Sequence, residues 1–161
     1  MSVGRQYSVK FSAVAVTAAQ DLFQVLASTT KIARILGWHL HQHTDVQDAA
    51  EEILRIGTVR GVGTVTDGSG GTTPTAQPIC NSDANFGGTI EANNTTRMAA
   101  GTGTLEELEE YGWNIRIPWT HFYTPELCPV ITAGERWTLA LLAAPADSVT
   151  VSGTLWLEEI G

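Results

Sequence analysis

Charged side chains are scarce in this chain, and basic ones are the scarcest. Asp, Glu, Lys and Arg make up 16% of the 161 residues, against about 25% in a typical soluble domain. The nine Lys and Arg residues are scattered singly, and the formal net charge is −8. Because a protein that binds nucleic acid presents a basic patch or stripe, we set nucleic acid aside as a partner.

Long apolar runs are missing as well. No stretch approaches the ~18 apolar residues of a transmembrane helix, and residues 1–10 lack the apolar core of a secretory signal peptide. We therefore expect no membrane partner and synthesis in a cytoplasm. Cysteine is limited to Cys80 and Cys128, which a reducing compartment would keep as free thiols. Their spacing does not decide whether they pair.

Short segments in which apolar and polar residues alternate are what the chain has in abundance. Such alternation, with a period of two, is typical of half-buried β-strands. The segments cover residues 7–16, 21–27, 31–43, 53–62, 90–96, 113–119, 137–143 and 149–160. Two further segments are ambiguous. Residues 44–52 fit a loop or one helical turn, and residues 104–111 fit one or two helical turns or a charged edge strand.

About eight strands separated by turn residues predict an all-β fold, an antiparallel β-sandwich of jelly-roll type. At this length we expect a single domain over residues 1–161. Its last two strands look like a β-hairpin. Outside the sandwich we expect an N-terminal arm over residues 1–6 and a long Gly- and Thr-rich extended loop over residues 61–78, and we expect one or the other to contact a neighbouring subunit.

The strand over residues 31–43 contains three of the four histidines, and we expect the rest of the chain to pack around it. Trp38 and Leu40 point to one face, which we interpret as core from residue 36 onward. His39 and His41 point to the other face, with His43 beyond them, where the strand leaves the sheet for a wet rim.

Two histidines separated by one residue on a strand are also a metal-binding pattern. The cupin family builds a metal site in this way, with a glycine several residues before the pair and a glutamate shortly after it. Here Gly37 lies too close to His39, and Glu51 lies too far along the chain. We therefore expect no metal and no other cofactor, and keep His39, His41 and His43 as metal ligands only in a minority alternative, a cupin-like metalloenzyme.

Aromatic residues gather near residue 120. The alternation through residues 113–119 predicts a strand that ends at Trp119, and His121, Phe122 and Tyr123 would follow it in a loop bounded by prolines. Exposed aromatics in such a loop would form a binding patch, whereas buried ones would cap the core. We treat all four as interface candidates.

Arg55 and Arg60 fall on opposite faces of the strand over residues 53–62. Either one of them meets a partner, or a bulge near Gly57 restores the register. Arg60 is therefore our fifth interface candidate. No nucleophile elbow and no distinct acid and base pair can be recognised, so we expect no enzyme.

Three parts of the chain carry a resemblance. They are DLFQVLA with WHLHQHTDVQDAAEEILRI in the first half, EANNTT in the middle and SVTVSGTLWLEEI at the end. Together they resemble small structural proteins of tailed bacteriophages, in particular the capsid decoration, or cement, proteins. The resemblance implies a β-sandwich on the capsid surface of the virion that binds the major capsid protein, ties its neighbouring subunits together and acts as a homotrimer without catalytic residues.

A second interpretation within the same fold stays open. The chain would then be a phage head or tail fibre, or a carbohydrate-binding module. Trp119, Phe122 and Tyr123 exposed in a concave site would favour sugar binding, whereas bound metal would favour the cupin-like enzyme.

Overall fold

The computed structural model describes residues 4–43 and 52–161. In this part of the chain every element of regular structure is a β-strand, and no helix is long and apolar enough to cross a membrane. The strands are Arg5–Val16 (β1), Gln20–Leu26 (β2), Ile32–Gln42 (β3), Ile53–Val62 (β4), Gln77–Pro78 (β5), Thr89–Asn94 (β6), Thr104–Asn114 (β7), Trp119–Phe122 (β8), Val130–Ile131 (β9), Arg136–Leu141 (β10) and Val149–Ile160 (β11).

The strands form two antiparallel sheets packed face to face. The first sheet has the order β5-β1-β11-β3-β8, with β9 also paired to β3, and the second sheet has the order β6-β2-β10-β4-β7. Fully buried side chains from both sheets, among them Tyr7, Phe23, Trp38 and Trp137, fill the space between them. The prediction of an all-β antiparallel sandwich is confirmed.

The predicted hairpin over residues 137–160 is wrong. β10 lies in the second sheet and β11 in the first, where β11 pairs with β1 and β3. Residues 142–148 carry the chain between sheets, and at about 3.3 Å per extended residue they easily span the ~10 Å that separates two packed sheets. This short loop, although rich in turn residues, therefore connects the two sheets and does not close a hairpin.

A bulge in β1 moves the core face of that strand. Tyr7, Val9 and Phe11 are buried as alternation predicts, but the register shifts between Phe11 and Val14. Ala13, at the bulge, has φ 52° and is exposed. Alternation through residues 7–16 predicts that Ala13 and Ala15 lie on the same buried face as Tyr7, and this is wrong, since the extra residue at the bulge reverses which side chains face the core.

A second bulge lies in β3. Trp156 of β11 is opposite Gly37 and Leu157 is opposite Ile35, so Leu36 is the extra residue. Before it Ile35 is buried, and after it Trp38 and Leu40 are buried. The prediction that Trp38 and Leu40 belong to the core is confirmed. The prediction that the core face begins at residue 36 is wrong, because Leu36 is the bulged residue, is only partly buried and lines the outer face of the sheet.

Residues 113–119 do not form one strand. β7 ends at Asn114, a turn follows, and β8 begins at Trp119. Within the turn the indole N–H of Trp113 donates to the carbonyl oxygen of Ile117 at 2.9 Å, and the side chain of Ile117 is 63% exposed. The predicted loop position is wrong for His121 and Phe122, because β8 extends to Phe122 and pairs with β3, whereas Tyr123 does lie after the strand.

The ambiguous and irregular segments resolve as follows. Residues 104–111 are the edge strand of the second sheet and not a helix. Residues 63–76 pair with residues 92–99 of their own chain, through isolated bridges from Thr66, Ser69 and Thr72.

Of the expected arm, residues 1–3 lie outside the described residues and Arg5 and Gln6 belong to β1. The expected loop or helical turn over residues 44–52 also lies outside them, except for its last residue.

Candidate binding groove on the first sheet

A groove of about 340 Å³ lies on the first sheet, bordered by the segment that follows β8. Its lining is mainly apolar and comes from five separate parts of the chain. The lining includes the side chains of Gln6, Arg34, Leu36, Ile79, Phe122 and Trp156. Phe122 and Ile79 are about 60% and 59% exposed, so the groove presents apolar surface to solvent.

The aromatic pair in the groove depends on a glycine. Gly37 of β3 lies in register between Trp156 of β11 and Phe122 of β8. With no side chain between them, the two rings lean together across β3 and reach a centroid distance of 5.0 Å. A Cβ atom at Gly37 would lie 2.3 Å from the carbonyl oxygen of His121 and 2.7 Å from Cδ1 of Phe122.

An ion pair borders the same groove. Arg34 and Glu158 are opposite each other on β3 and β11, and the Nη2 group of Arg34 donates to Oε2 of Glu158 at 2.5 Å. Glu158 is only 4% exposed, so its charge needs this partner. The two charges cancel, and the groove stays electrically neutral at this point.

The two cysteines lie near the groove and are both free thiols in the structure. Cys128 lines the groove, and burial raises the pKa of its thiol. Cys80 is exposed and lies 3.1 Å from the hydroxyl of Ser82, whose hydrogen bond lowers the pKa of the Cys80 thiol.

Three of the four aromatic interface candidates turn their rings into the space between the sheets. The rings of Trp119, His121 and Tyr123 lie 5.5 Å, 4.5 Å and 5.6 Å from that of Trp38. Phe122 presents an exposed ring to the groove, whereas Tyr123 borders the groove with its ring packed against the core, so the structure does not bring the four candidates together. The hydroxyl of Tyr123 donates to Glu109, and burial followed by that carboxylate raises the pKa of Tyr123.

Arg60, the fifth candidate, lies in the second sheet. Its Nη2 group is 2.6 Å from Oε2 of Glu106 on the neighbouring edge strand. Arg55 makes a similar pair with Glu110 at 2.7 Å. Each arginine thus meets a partner in its own chain, and a register shift between β4 and β7 lies at residues 58–59, next to Gly57.

The three clustered histidines make consecutive ring contacts, with His39 and His41 on β3 and His43 just after it. The ring centroids of His39 and His41 are 5.1 Å apart, and those of His41 and His43 are 4.6 Å apart. Hydroxyl groups of Thr120 and Ser152 hydrogen-bond to His39 and His43 at 2.7 Å and 2.9 Å. Burial, and then the two neighbouring imidazoles, lower the pKa of His41. Over the described ranges, no three histidine, cysteine or acidic side chains are placed to hold a metal ion.

Comparison with known proteins adds no relative. A scan against protein-family models, a search of curated proteins and a search of solved structures each found no match.

Sequence analysis missed most of the groove. Trp156 was visible as the one aromatic residue on the polar face of the last strand, and that is the signal that would have marked it. Arg34, Leu36 and Ile79 carried no such signal, because only the pairing of distant strands brings them together.

Proposed function

We propose that this chain is a non-enzymatic virion structural protein that decorates a bacteriophage capsid and binds the major capsid protein through the groove on the first sheet. The observation that carries the proposal is the exposed apolar lining around Phe122, Ile79 and Trp156. Contiguous exposed apolar surface of this kind is typical of sites that bind another protein.

The fold is compatible with this role. The strand orders β1-β11-β3-β8 and β2-β10-β4-β7 support the predicted jelly-roll arrangement. Bridging neighbouring capsid subunits requires more than one binding surface, and a homotrimer would present three copies of the groove. Linked copies bind far more tightly than one, because the later contacts form within an assembled complex.

The test uses shells assembled from the major capsid protein encoded in the same genome. Purified protein is mixed with the shells, and the bound fraction is measured by sedimentation. Light scattering on the free protein gives its oligomeric state. Saturable binding by a trimer is the expected result. Failure of the unaltered protein to sediment with the shells would overturn the proposal.

One observation favours carbohydrate binding as the second candidate. The Phe122 and Trp156 rings stand beside the polar side chains of Gln6 and Arg34 in one concave site. Aromatic faces next to hydrogen-bonding groups are suited to a sugar ring. This alternative predicts millimolar or tighter binding of a simple glycoside at the groove, which the experiment below measures directly.

A further inference from the structure

We propose that the groove takes a neutral, extended polypeptide segment of the partner, with a large apolar side chain against Phe122 and Trp156 and a main-chain carbonyl oxygen hydrogen-bonded to Arg34. This inference rests on the proposed function and specifies which part of the partner is recognised.

The shape of the surface favours an extended segment. Beside the groove lies a second depression of about 260 Å³, which shares Gln6 and Ile79 with it and continues to Gly4 and Cys80. The two together extend across the first sheet, from Phe122 on β8 to Cys80 beyond β5. A compact ligand would fill one depression, whereas an extended chain, rising about 3.3 Å per residue, can occupy both.

The lining favours an uncharged apolar anchor. Leu36, Ile79 and Phe122 offer no group that could pair with a charge, and the charge of Arg34 is already balanced by Glu158. A charged anchor would lose its hydration without gaining a partner, which is unfavourable. A large apolar side chain has no charge to desolvate, and it would bury the exposed ring of Phe122.

Arg34 supplies the polar contact. A guanidinium group carries several N–H donors, and within the described residues its only hydrogen bond is the one to Glu158. The side chain is 30% exposed at the groove. Donors therefore remain for an acceptor on the ligand, and a peptide segment brings a carbonyl oxygen at every residue.

The experiment uses capped amino acids as probes. N-acetyl-tryptophanamide, N-acetyl-leucinamide, N-acetyl-glycinamide, N-acetyl-glutamate amide and methyl glucoside are each titrated into the full chain. Binding is followed through backbone amide shifts in two-dimensional NMR. The apolar amides are expected to shift residues around Leu36, Phe122 and Trp156, and the glycine and glutamate amides are not.

Three variants locate the contact. Phe122→Ala is expected to weaken binding of the tryptophan amide by about tenfold or more. Arg34→Lys keeps the charge opposite Glu158 but loses the fork of donors, and a several-fold loss is expected. Ile117→Ala is the matched control, since Ile117 is also exposed but does not line the groove, and its binding is expected to equal that of the unaltered chain. Unchanged amide dispersion shows that each variant is folded.

The outcomes separate the two proposals. Binding of the glucoside in place of the apolar amides, or no shift with any probe, overturns the peptide-anchor inference. If Phe122→Ala sediments with capsid shells as well as the unaltered chain does, the inference fails and the groove is not the capsid-binding surface, but capsid decoration itself stands. If the unaltered chain does not bind shells, the decoration function fails whatever the probe titrations show.

Discussion

The imidazole of His121 stacks on the indole of Trp38, with ring centroids 4.5 Å apart and ring planes 25° apart. The Nε2 atom of His121 is buried and has no hydrogen-bond partner within the described residues. Burial lowers the pKa of His121, although the carboxylate of Glu109 acts in the opposite direction. Burial in this stack therefore favours the neutral form of the ring.

Acid should destabilise the protein through this ring. The folded-state pKa of His121 lies below its ordinary value of 6.5, so above that pH both states are neutral and stability does not depend on this group. Below it the unfolded chain binds the proton first, and the free energy of unfolding falls as the pH falls. His41, whose pKa is also lowered, adds to the same trend. Urea midpoints at pH 7.5 and 5.5 measure the loss.

His121→Phe is the control for this pH dependence. It keeps a planar ring beside Trp38 but cannot titrate, so the drop in urea midpoint between pH 7.5 and 5.5 should be smaller than in the unaltered chain. An equal drop in both proteins would show that His121 does not contribute.

Gly37→Ala should separate the two rings of the groove. The added Cβ would meet the backbone of His121 and the ring of Phe122, so β8 must move away from β3. Overpacking of this kind costs about 1–3 kcal/mol, and near-ultraviolet circular dichroism should report a changed environment of Trp156. Gly112→Ala on an edge strand is the comparison, where the nearest atom is the end of the Ile53 side chain at 3.1 Å. An equal loss in both variants would contradict the account.

Ala13→Gly should stabilise the protein slightly. A left-handed conformation costs a non-glycine residue about 1–2 kcal/mol, and Ala13 has φ 52°. The greater freedom of glycine in the unfolded chain removes roughly 0.5–1 kcal/mol of that gain. Ala15→Gly, also exposed on β1 but without a positive φ, should only destabilise. Denaturant unfolding measures the change in the free energy of unfolding for each variant, and the two changes must have opposite signs.

Asp21→Ala should cost about 1–3 kcal/mol of stability. The carboxylate of Asp21 is 1% exposed and accepts the backbone N–H of Met98 at 2.7 Å, with Arg97 at 3.4 Å. Truncation would leave that N–H buried without an acceptor. Asp21→Asn retains an oxygen for Met98 and should lose less. Equal urea midpoints for the two variants would show that this hydrogen bond does not matter.

The regular strands could be predicted from the sequence because alternation reports which face is buried. Trp38 and Leu40 illustrate this success. The same reasoning failed at Ala13, since a bulge inserts one residue and inverts the pattern without changing composition. It also failed between Trp113 and Trp119, where the alternation of large side chains continues through a turn that the Trp113 side chain itself helps to close.

A local sequence pattern cannot predict the groove. Phe122 was recognised as an interface candidate because it is aromatic, but its neighbour Trp156 is 34 positions away in sequence and meets it only because β3 carries a glycine between them. The orientation of His121 depended on the same pairing of β8 with β3. Side-chain identity suggested an interface here, and only strand order determines which of these residues share it.

The central position of β11 between β1 and β3 has a consequence for biosynthesis. A ribosome that has produced β1 to β10 holds a chain whose first sheet lacks the strand that joins its two halves. β1 and β3 then each present an unpaired edge, and unpaired edges invite association with other chains. The first sheet closes only after residue 160 has left the exit tunnel, so every nascent chain passes through a stage in which the facing edges of β1 and β3 are both unpaired.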